Sequence, residues 1–327
     1  MLPFENIKRK ILIKKEAETS SQYGKNPNER TVEELLEYSI INLDKPKGPT
    51  SHQVSAYIQK IFSVNKSGHS GTLDPKVTGV LPTAIGRATR VVEQLLTSGK
   101  EYIVLMHLHK EVDESKVRKV MNEFIGTIKQ LPPIKSAVKR QWRDRTIYSL
   151  DILEIVEQDV LFKVACQAGT YMRKLCSDIG EKLGIGAHMA ELRRSQTGPF
   201  KEETLVTLHD CMDALQVWKD ENNEDYIRRV LLPIEKAVDH LPKIWVLDTT
   251  VDTLCHGANL HVPGIAKLES DIEIDQTVAI MTLKNELVSV GEIKMNSNQI
   301  LNEEKGVAVN SKKVFMLPST YPKIEKT

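Results

Sequence analysis

Cysteine is scarce in this sequence. There are four in 327 residues, Cys166, Cys176, Cys211 and Cys255, and no two are close enough to form a CxxC pair. That spacing gives no framework for a structural zinc site, and reduced thiols are the expectation. Cys255-His256 stands alone and reads as structural. Net charge is also nearly absent: 45 Lys and Arg against 44 Asp and Glu leave +1. A protein that grips nucleic acid over its whole surface is strongly basic, so any such contact must come from local patches. No apolar run is long enough to span a bilayer, and no charged-then-apolar leader opens the chain. The protein is therefore expected to remain in the compartment where it is made, with no membrane partner. Internal repeats and low-complexity tracts are lacking. The glycine-rich segment lacks the GxxxxGK[ST] pattern and does not open directly into a helix, which argues against a phosphate-handling loop.

What is present is an ordinary globular composition, 40% hydrophobic and 27% charged, in a chain long enough for two or three domains. Residues 1–30 are polar and weakly periodic, an extension that is disordered or laid across another domain. Ile40 to Leu43 reads as a strand stopped by the turn Lys45-Pro46-Lys47-Gly48-Pro49. Ser51 reads as the N-cap of a helix carrying Val54, Tyr57, Ile58 and Ile61. Glu101 to Leu108 reads as a strand. Thr170 is expected to cap a helix burying Leu175, Cys176, Ile179 and Leu183, and two more helices are expected near 207–219 and 224–240. At Pro242 the texture changes to short β-branched strands, Ile244 to Leu247, Thr277 to Met281 and Glu286 to Val290, separated by glycines, the pattern of a small barrel. The expected class is α+β: a large domain with flanking helices over 31–242, a small β-rich domain over 243–320, and a tail at 321–327.

The chemistry concentrates between Gly68 and Gly86, a segment with four glycines and two prolines. Its first part runs Gly68-His69-Ser70-Gly71-Thr72-Leu73-Asp74-Pro75-Lys76-Val77-Thr78-Gly79-Val80-Leu81-Pro82. The glycines open backbone angles closed to other residues, and Pro75 keeps Asp74 out of helical geometry. A carboxylate on such a loop can be placed for catalysis; it can equally be a turn aspartate bonding its own backbone. Basic patches lie at Lys8, Arg9, Lys10, Lys14 and Lys15, at Lys135, Lys139, Arg140, Arg143 and Arg145, and at Arg193-Arg194. Each patch could also be a solvated face.

The Asp74 segment resembles the signature loop of the TruB family of pseudouridine synthases, departing at Val77, where alanine is usual. Other segments resemble the same family in order and spacing: Lys45-Pro46-x-Gly48-x-Thr50-Ser51, Gly99-Lys100-Glu101-Tyr102, Gly169-Thr170-Tyr171-Met172-Arg173, and Glu191-Leu192-Arg193-Arg194 followed by Gly198-Pro199-Phe200. The resemblance implies isomerisation of uridine to pseudouridine in RNA, with no cofactor and no metal. It implies Asp74 as the catalytic carboxylate, held charged by Arg173 in a partly dry pocket. Tyr102 would stack on the base and serve in proton transfer. Leu192 would pack on the other face, His69 would hold the extruded nucleotide, and Lys45 and Pro46 would brace the pocket at the substrate. The uridine would have to leave its stack, at a cost of about a few kcal/mol.

Residues 243–320 resemble a PUA domain, an RNA-binding barrel, through His256-Gly257-Ala258-Asn259-Leu260-His261-Val262-Pro263-Gly264. Gly257, Ala258, Pro263 and Gly264 are the implied RNA contacts there. The whole chain is similar to the archaeal members of the dyskerin group, in which the N-terminal extension packs on the PUA domain. Lys135 to Arg145 resembles that group's basic thumb loop, which makes Lys139, Arg140, Arg143 and Arg145 implied RNA contacts. The resemblance implies work within a box H/ACA guide-RNA particle on rRNA, with tRNA open as a further substrate. The implied partners are a zinc-ribbon-like small peptide, a small β-barrel protein and a kink-turn-binding protein. Because the chain stops at Thr327 without a lysine-rich tail, an archaeal, cytoplasmic protein is expected. Two alternatives stay open at this point: a stand-alone tRNA uridine synthase, and a non-catalytic RNA-binding scaffold.

Overall fold

The computed structural model describes residues 1–132 and 139–323. Lys135-Ser136-Ala137-Val138 of the expected thumb loop fall outside the described residues. The fold is built on two sheets. One has ten strands, and its main path runs Leu232–Pro233, Ser39–Lys45, Thr78–Ile85, Ala187–Thr197, Lys100–Leu108, Asp159–Cys166, Arg143–Val156 and Gly126–Gln130. The strand Ser39–Lys45 is almost wholly buried, its polar Ser39, Asn42 and Lys45 along with Ile40, Ile41 and Leu43. In Lys100–Leu108 the buried positions alternate, so Val104, Met106 and Leu108 share one face. That face packs on the helix Met172–Leu183 through Leu175, Cys176 and Ile179. The helix Ser51–Ile61 covers Ile41 and Leu43 with Val54 and Ile58.

The second sheet has seven strands in the order Ile11–Ile13, Ile265–Glu269, Lys243–Val246, Thr277–Thr282, Leu287–Ile293, Val307–Val314 and Leu260–His261. It has its own core around Ile244, Ile280, Val288 and Val309. Another apolar cluster joins the two sheets: Ile40 and Val80 of the first, with Tyr38 beside it, share it with Trp245 and Met281 of the second and with Phe315 just past its strand Val307–Val314. Where they meet, the Arg30 guanidinium makes two 2.8 Å bonds to the Glu235 carboxylate, and Glu235 Oε1 accepts the Leu287 N–H at 2.9 Å.

The N-terminal segment is ordered along both units. Leu2 is buried against the first, and Glu5 pairs with Lys201 at 2.6 Å. Ile11–Ile13 then adds an antiparallel strand to the second sheet, Ile11 opposite Glu269 and Ile13 opposite Lys267. The basic residues of this segment are partly engaged there: Lys14 Nζ donates to the carbonyls of Leu301 and Glu303.

Several local expectations need correction. The helix after the first turn is capped by Thr50 in a box with Gln53, and Ser51 is its first helical residue. Thr170 does not cap the next helix; its hydroxyl donates to the Gln167 carbonyl, and Tyr171 holds the N-cap position. The single helix expected over 224–240 is a short helix, Asp225–Val230, then the two-residue strand Leu232–Pro233 and a 3-10 turn, Ile234–Val238. Pro233 cannot continue a helix, and Ile40 offers Leu232 a strand partner instead.

Candidate active site

Asp74 sits on the loop leading into Thr78–Ile85, and that loop is held from below. The Lys45 ammonium donates to the carbonyls of Pro46, Pro75 and Val77 at 2.9, 3.3 and 2.9 Å. The Gly48 N–H donates to Pro75 O at 2.8 Å, and the Val77 N–H closes a turn on Asp74 O at 3.0 Å. Ser51 fixes the residue before the aspartate: its hydroxyl accepts the Leu73 N–H at 2.9 Å and donates to the Leu73 carbonyl at 3.2 Å. Asp74 therefore has neighbours pinned on either side while its own carboxylate points outward. Arg173 Nη2 lies 2.8 Å from Asp74 Oδ2, with the two side chains 61% and 46% exposed respectively. The pair expected in a partly dry pocket is thus open to solvent among the described residues.

Arg173 is aimed by a second constraint. Its motif Gly169 to Arg173 enters the helix Met172–Leu183. The buried Gln130 side chain takes the Tyr171 N–H at 2.9 Å and donates to the Tyr171 carbonyl at 3.2 Å. Gly169 has φ +79°, and the Arg145 guanidinium lies against it. Neither Ser51 nor Gln130 could be assigned these contacts from the sequence, because their partners are 22 and 41 residues away.

The strands bring the remaining residues to this region. Thr78–Ile85 runs parallel to Ala187–Thr197, Gly79 opposite Arg194. Gly79 has φ +106°, and a Cβ there would stand 2.2 Å from the Arg194 carbonyl, so only glycine permits this approach. Tyr102 lies opposite Arg194 and Val104 opposite Leu192 on the adjoining antiparallel pair. Tyr102 and Leu192 are half-buried against one apolar cluster. Burial pushes the Tyr102 phenol up, opposed by the nearby Arg194 guanidinium. His69 stands on the short strand Ser67–His69, edge-on to His52 with ring centres 4.9 Å apart. Burial, then His52 and Arg194, pull its imidazole down to about 4.

Two assignments change. Lys45 is 0% exposed, so it cannot touch a nucleotide as a substrate-binding residue; it braces the Asp74 loop, whereas Pro46 beside it is exposed. Arg193-Arg194 is not a surface patch. Strand alternation turns Arg193 outward, where it bonds Asp44 and Glu202, and buries Arg194 to 1% exposure. Lys139 and Arg140 are exposed, and Arg143 and Arg145 are half-buried. Gly257 and Ala258 lie on the turn after the helix Asp248–Cys255, and Pro263 and Gly264 in the 3-10 turn Val262–Gly264, all in the region of the second sheet.

A cleft of about 260 Å³ beside the loop is lined by Asp44, Lys45, Pro46, Thr78, Arg193 and His209, among others. A larger cavity of about 810 Å³ lies elsewhere, between the two sheets, and has no Asp74 in its walls. Among the described residues no group of three His, Cys, Asp or Glu is arranged to hold a metal ion. The four cysteines are free and buried, and burial pushes each thiol up to about 12. Among the described residues no helix is long and apolar enough to cross a membrane.

Residues 59–172 match the TruB family pseudouridylate synthase N-terminal domain, and residues 173–239 match the tRNA pseudouridylate synthase B C-terminal domain. Residues 2–55 match the DKCLD domain and 242–315 the PUA domain. A probable tRNA pseudouridine synthase B of Nanoarchaeum equitans is 56% identical over 99% of this chain and 92% of its own length. One of the same description from Methanopyrus kandleri is 54% identical over 98% of this chain and 95% of its own length. A chain in the crystal structure of a Cbf5-Nop10-Gar1 complex superposes with TM-score 0.94 at 54% identity, covering 99% of both chains. A chain in an H/ACA RNP bound to a substrate RNA containing 2'-deoxyuridine gives 0.92 at 51% identity, covering 98% of this chain and 99% of the other. With a carboxylate loop, its arginine and the flanking strands in the order of the family's motifs, and with this likeness along its whole length, the chain belongs to the TruB family of pseudouridylate synthases and carries DKCLD and PUA domains.

Proposed function

We propose that this chain isomerises uridine to pseudouridine in RNA as the catalytic subunit of a box H/ACA guide-RNA particle, with Asp74 as the nucleophilic carboxylate. The observation that carries the reading is the Arg173–Asp74 pair, 2.8 Å apart on a braced loop that is open on its outer side. An arginine at that distance fixes how the carboxylate is presented, and a carboxylate can act as nucleophile. In the reaction the N1–C1′ bond breaks, the base turns, and C5 joins C1′; the proton on C5 departs and N1 gains one, so nothing is oxidised or lost. Tyr102 stacks on the base and takes part in that proton transfer, and Leu192 packs on its other face. His69, neutral at physiological pH, helps hold the extruded nucleotide.

Guide dependence is supported by the whole-length likeness to chains in H/ACA assemblies and by the net charge of +1. With so little excess charge the chain has weak general attraction for a phosphate backbone. A guide would read the sequence. A zinc-ribbon-like peptide, a small β-barrel protein and a kink-turn-binding protein would hold the duplex over the open Asp74 face. Lys139, Arg140, Arg143 and Arg145, with Gly257, Ala258, Pro263 and Gly264, are the proposed RNA contacts. Residues 1–30, 31–242 and 243–320 are proposed as extension, catalytic domain and RNA-binding domain. A cytoplasmic setting in an archaeal cell fits the organisms of the relatives. A second reading, action on tRNA without a guide, is favoured by the tRNA synthase description those relatives carry.

The test is single-turnover conversion by wild type and Asp74→Asn, each as bare chain, with guide RNA, and with guide plus partners. The expected result is no product from Asp74→Asn with RNA affinity retained, and wild-type turnover that rises with each addition. Product from Asp74→Asn near the wild-type rate removes the nucleophile, and equal wild-type rates in all three settings return the chain to the stand-alone reading.

A further inference from the structure

Arg194 is a buried cation with no carboxylate partner among the described residues. Its Nε donates to the Val80 carbonyl at 2.7 Å, and its Nη2 donates to the Gly71 carbonyl at 3.2 Å, three residues before Asp74. Tyr102 is its cross-strand neighbour, and the guanidinium charge bears on the phenol there. One side chain thus bonds the backbone of the Asp74 loop and the strand that loop enters, and stands beside the tyrosine.

Burying an uncompensated guanidinium is costly, and an apolar residue would fill a purely structural position at less cost. Lys45 comes from the strand Ser39–Lys45, Lys100 from the strand of Tyr102, and His69 from the short strand beyond; the Arg194 charge disfavours the protonated form of all three. Cys166, from the strand Asp159–Cys166, faces both Tyr102 and Lys100. Lys100 spends its donors on the carbonyls of Leu95, Leu96 and Ser98. Tyr102 is therefore the group in this cluster whose charge state a fixed guanidinium can serve during a reaction.

We propose that Arg194 is a positioning residue for the isomerisation: its guanidinium holds the Tyr102 hydroxyl and the Asp74 loop in one fixed relation. The proposal rests on the reading of Tyr102 as a residue of the active site. Planarity matters here, because Nε and Nη2 serve two carbonyls while the guanidinium also stands beside the phenol; a lysine has a point charge and no such fork. The cation beside Tyr102 also lowers the energy of its phenolate. Its removal should move the alkaline dependence of the rate to higher pH.

The test uses the full chain with guide RNA and partners, in single-turnover assays across pH. The variants are Arg194→Lys, Arg194→Gln, Tyr102→Phe and the two double variants. Arg194→Lys is expected to lose roughly 10- to 100-fold in rate, the scale of a misplacement by about 1 Å, with RNA affinity unchanged. Arg194→Gln should lose at least as much and show the alkaline shift. In the Tyr102→Phe background either Arg194 change should cost less than about threefold further. The same loss in both backgrounds would make Arg194 merely structural and overturn the proposal, as would a wild-type rate in Arg194→Lys. Arg194→Lys that fails to fold, judged by circular dichroism, also overturns it. Tyr102→Phe alone at the wild-type rate would instead bring down the reading of Tyr102, in a variant where Arg194 is intact, and the proposal with it.

Discussion

Replacing Glu235 by glutamine should destabilise the protein far more than an ordinary surface change. Glu235 and Arg30 are 9% and 7% exposed and face each other in a two-bond fork. Glutamine keeps the shape and can still accept the Leu287 N–H, but it removes the counter-charge and turns a donor toward the Arg30 donors. An uncompensated buried charge costs about 3–5 kcal/mol. The double replacement Arg30→Met with Glu235→Leu removes both charges. It should recover about half of that loss, leaving about 1–3 kcal/mol for the unpaired Leu287 N–H. Urea titration of wild type, Arg30→Met, Glu235→Leu and the pair gives the four numbers of a cycle, with Glu235→Gln measured beside them. Hydrogen exchange at Leu287 then reports whether the seam between the sheets loosens before either sheet unfolds. A Glu235→Gln midpoint equivalent to less than about 1 kcal/mol of lost stability would refute the reasoning.

Arg173→Met should leave the melting temperature nearly unchanged, since exposed pairs contribute about 0–1 kcal/mol, while turnover falls by orders of magnitude. Arg173→Lys should restore only part, and full activity in that variant would mean a bare positive charge suffices. Acid should destabilise the fold between pH 6.5 and 4. Burial pulls His69 and His240 to about 4 in the folded chain, while the unfolded chain takes up protons near 6.5. Their contribution is fully present above 6.5 and lost as pH falls through the folded value, at most about 3 kcal/mol for His240. Denaturation midpoints of His240→Gln across that range should fall less steeply than wild type, and parallel curves would contradict the assignment.

The shape of the Asp74 loop was legible because its signal lies in residue identities that need no partner. Pro75 sets the geometry of Asp74, and glycines mark the positions of positive φ, Gly71 and Gly79 among them. The helix Ser51–Ile61 was legible within a residue, since Thr50 and Ser51 are both good caps and only the structure decides between them. What could not be read was the far side of each contact. Ser51 reaches Leu73, Gln130 reaches Tyr171, and Lys45 turns inward to three carbonyls, while the local sequence of each is compatible with a surface residue. Arg194 was hidden for a different reason: two adjacent arginines look alike until strand pairing sends one outward and one in. The change of texture at Pro242 was visible, yet it conceals the apolar cluster in which Val80 and Tyr38 pack with Trp245 and Phe315 across that point.

The strand Ile11–Ile13 has a consequence for the order of folding. Its partners at Lys267 and Glu269 come some 250 residues later in the chain. The Lys10 N–H bonds Ser270 across a separation of 260. Pairing over such a distance waits until every strand of the first sheet has been made, because chain closure must precede any gain from contact. Until Ile11–Ile13 comes back to cover it, the edge of Ile265–Glu269 is an open template for any passing strand.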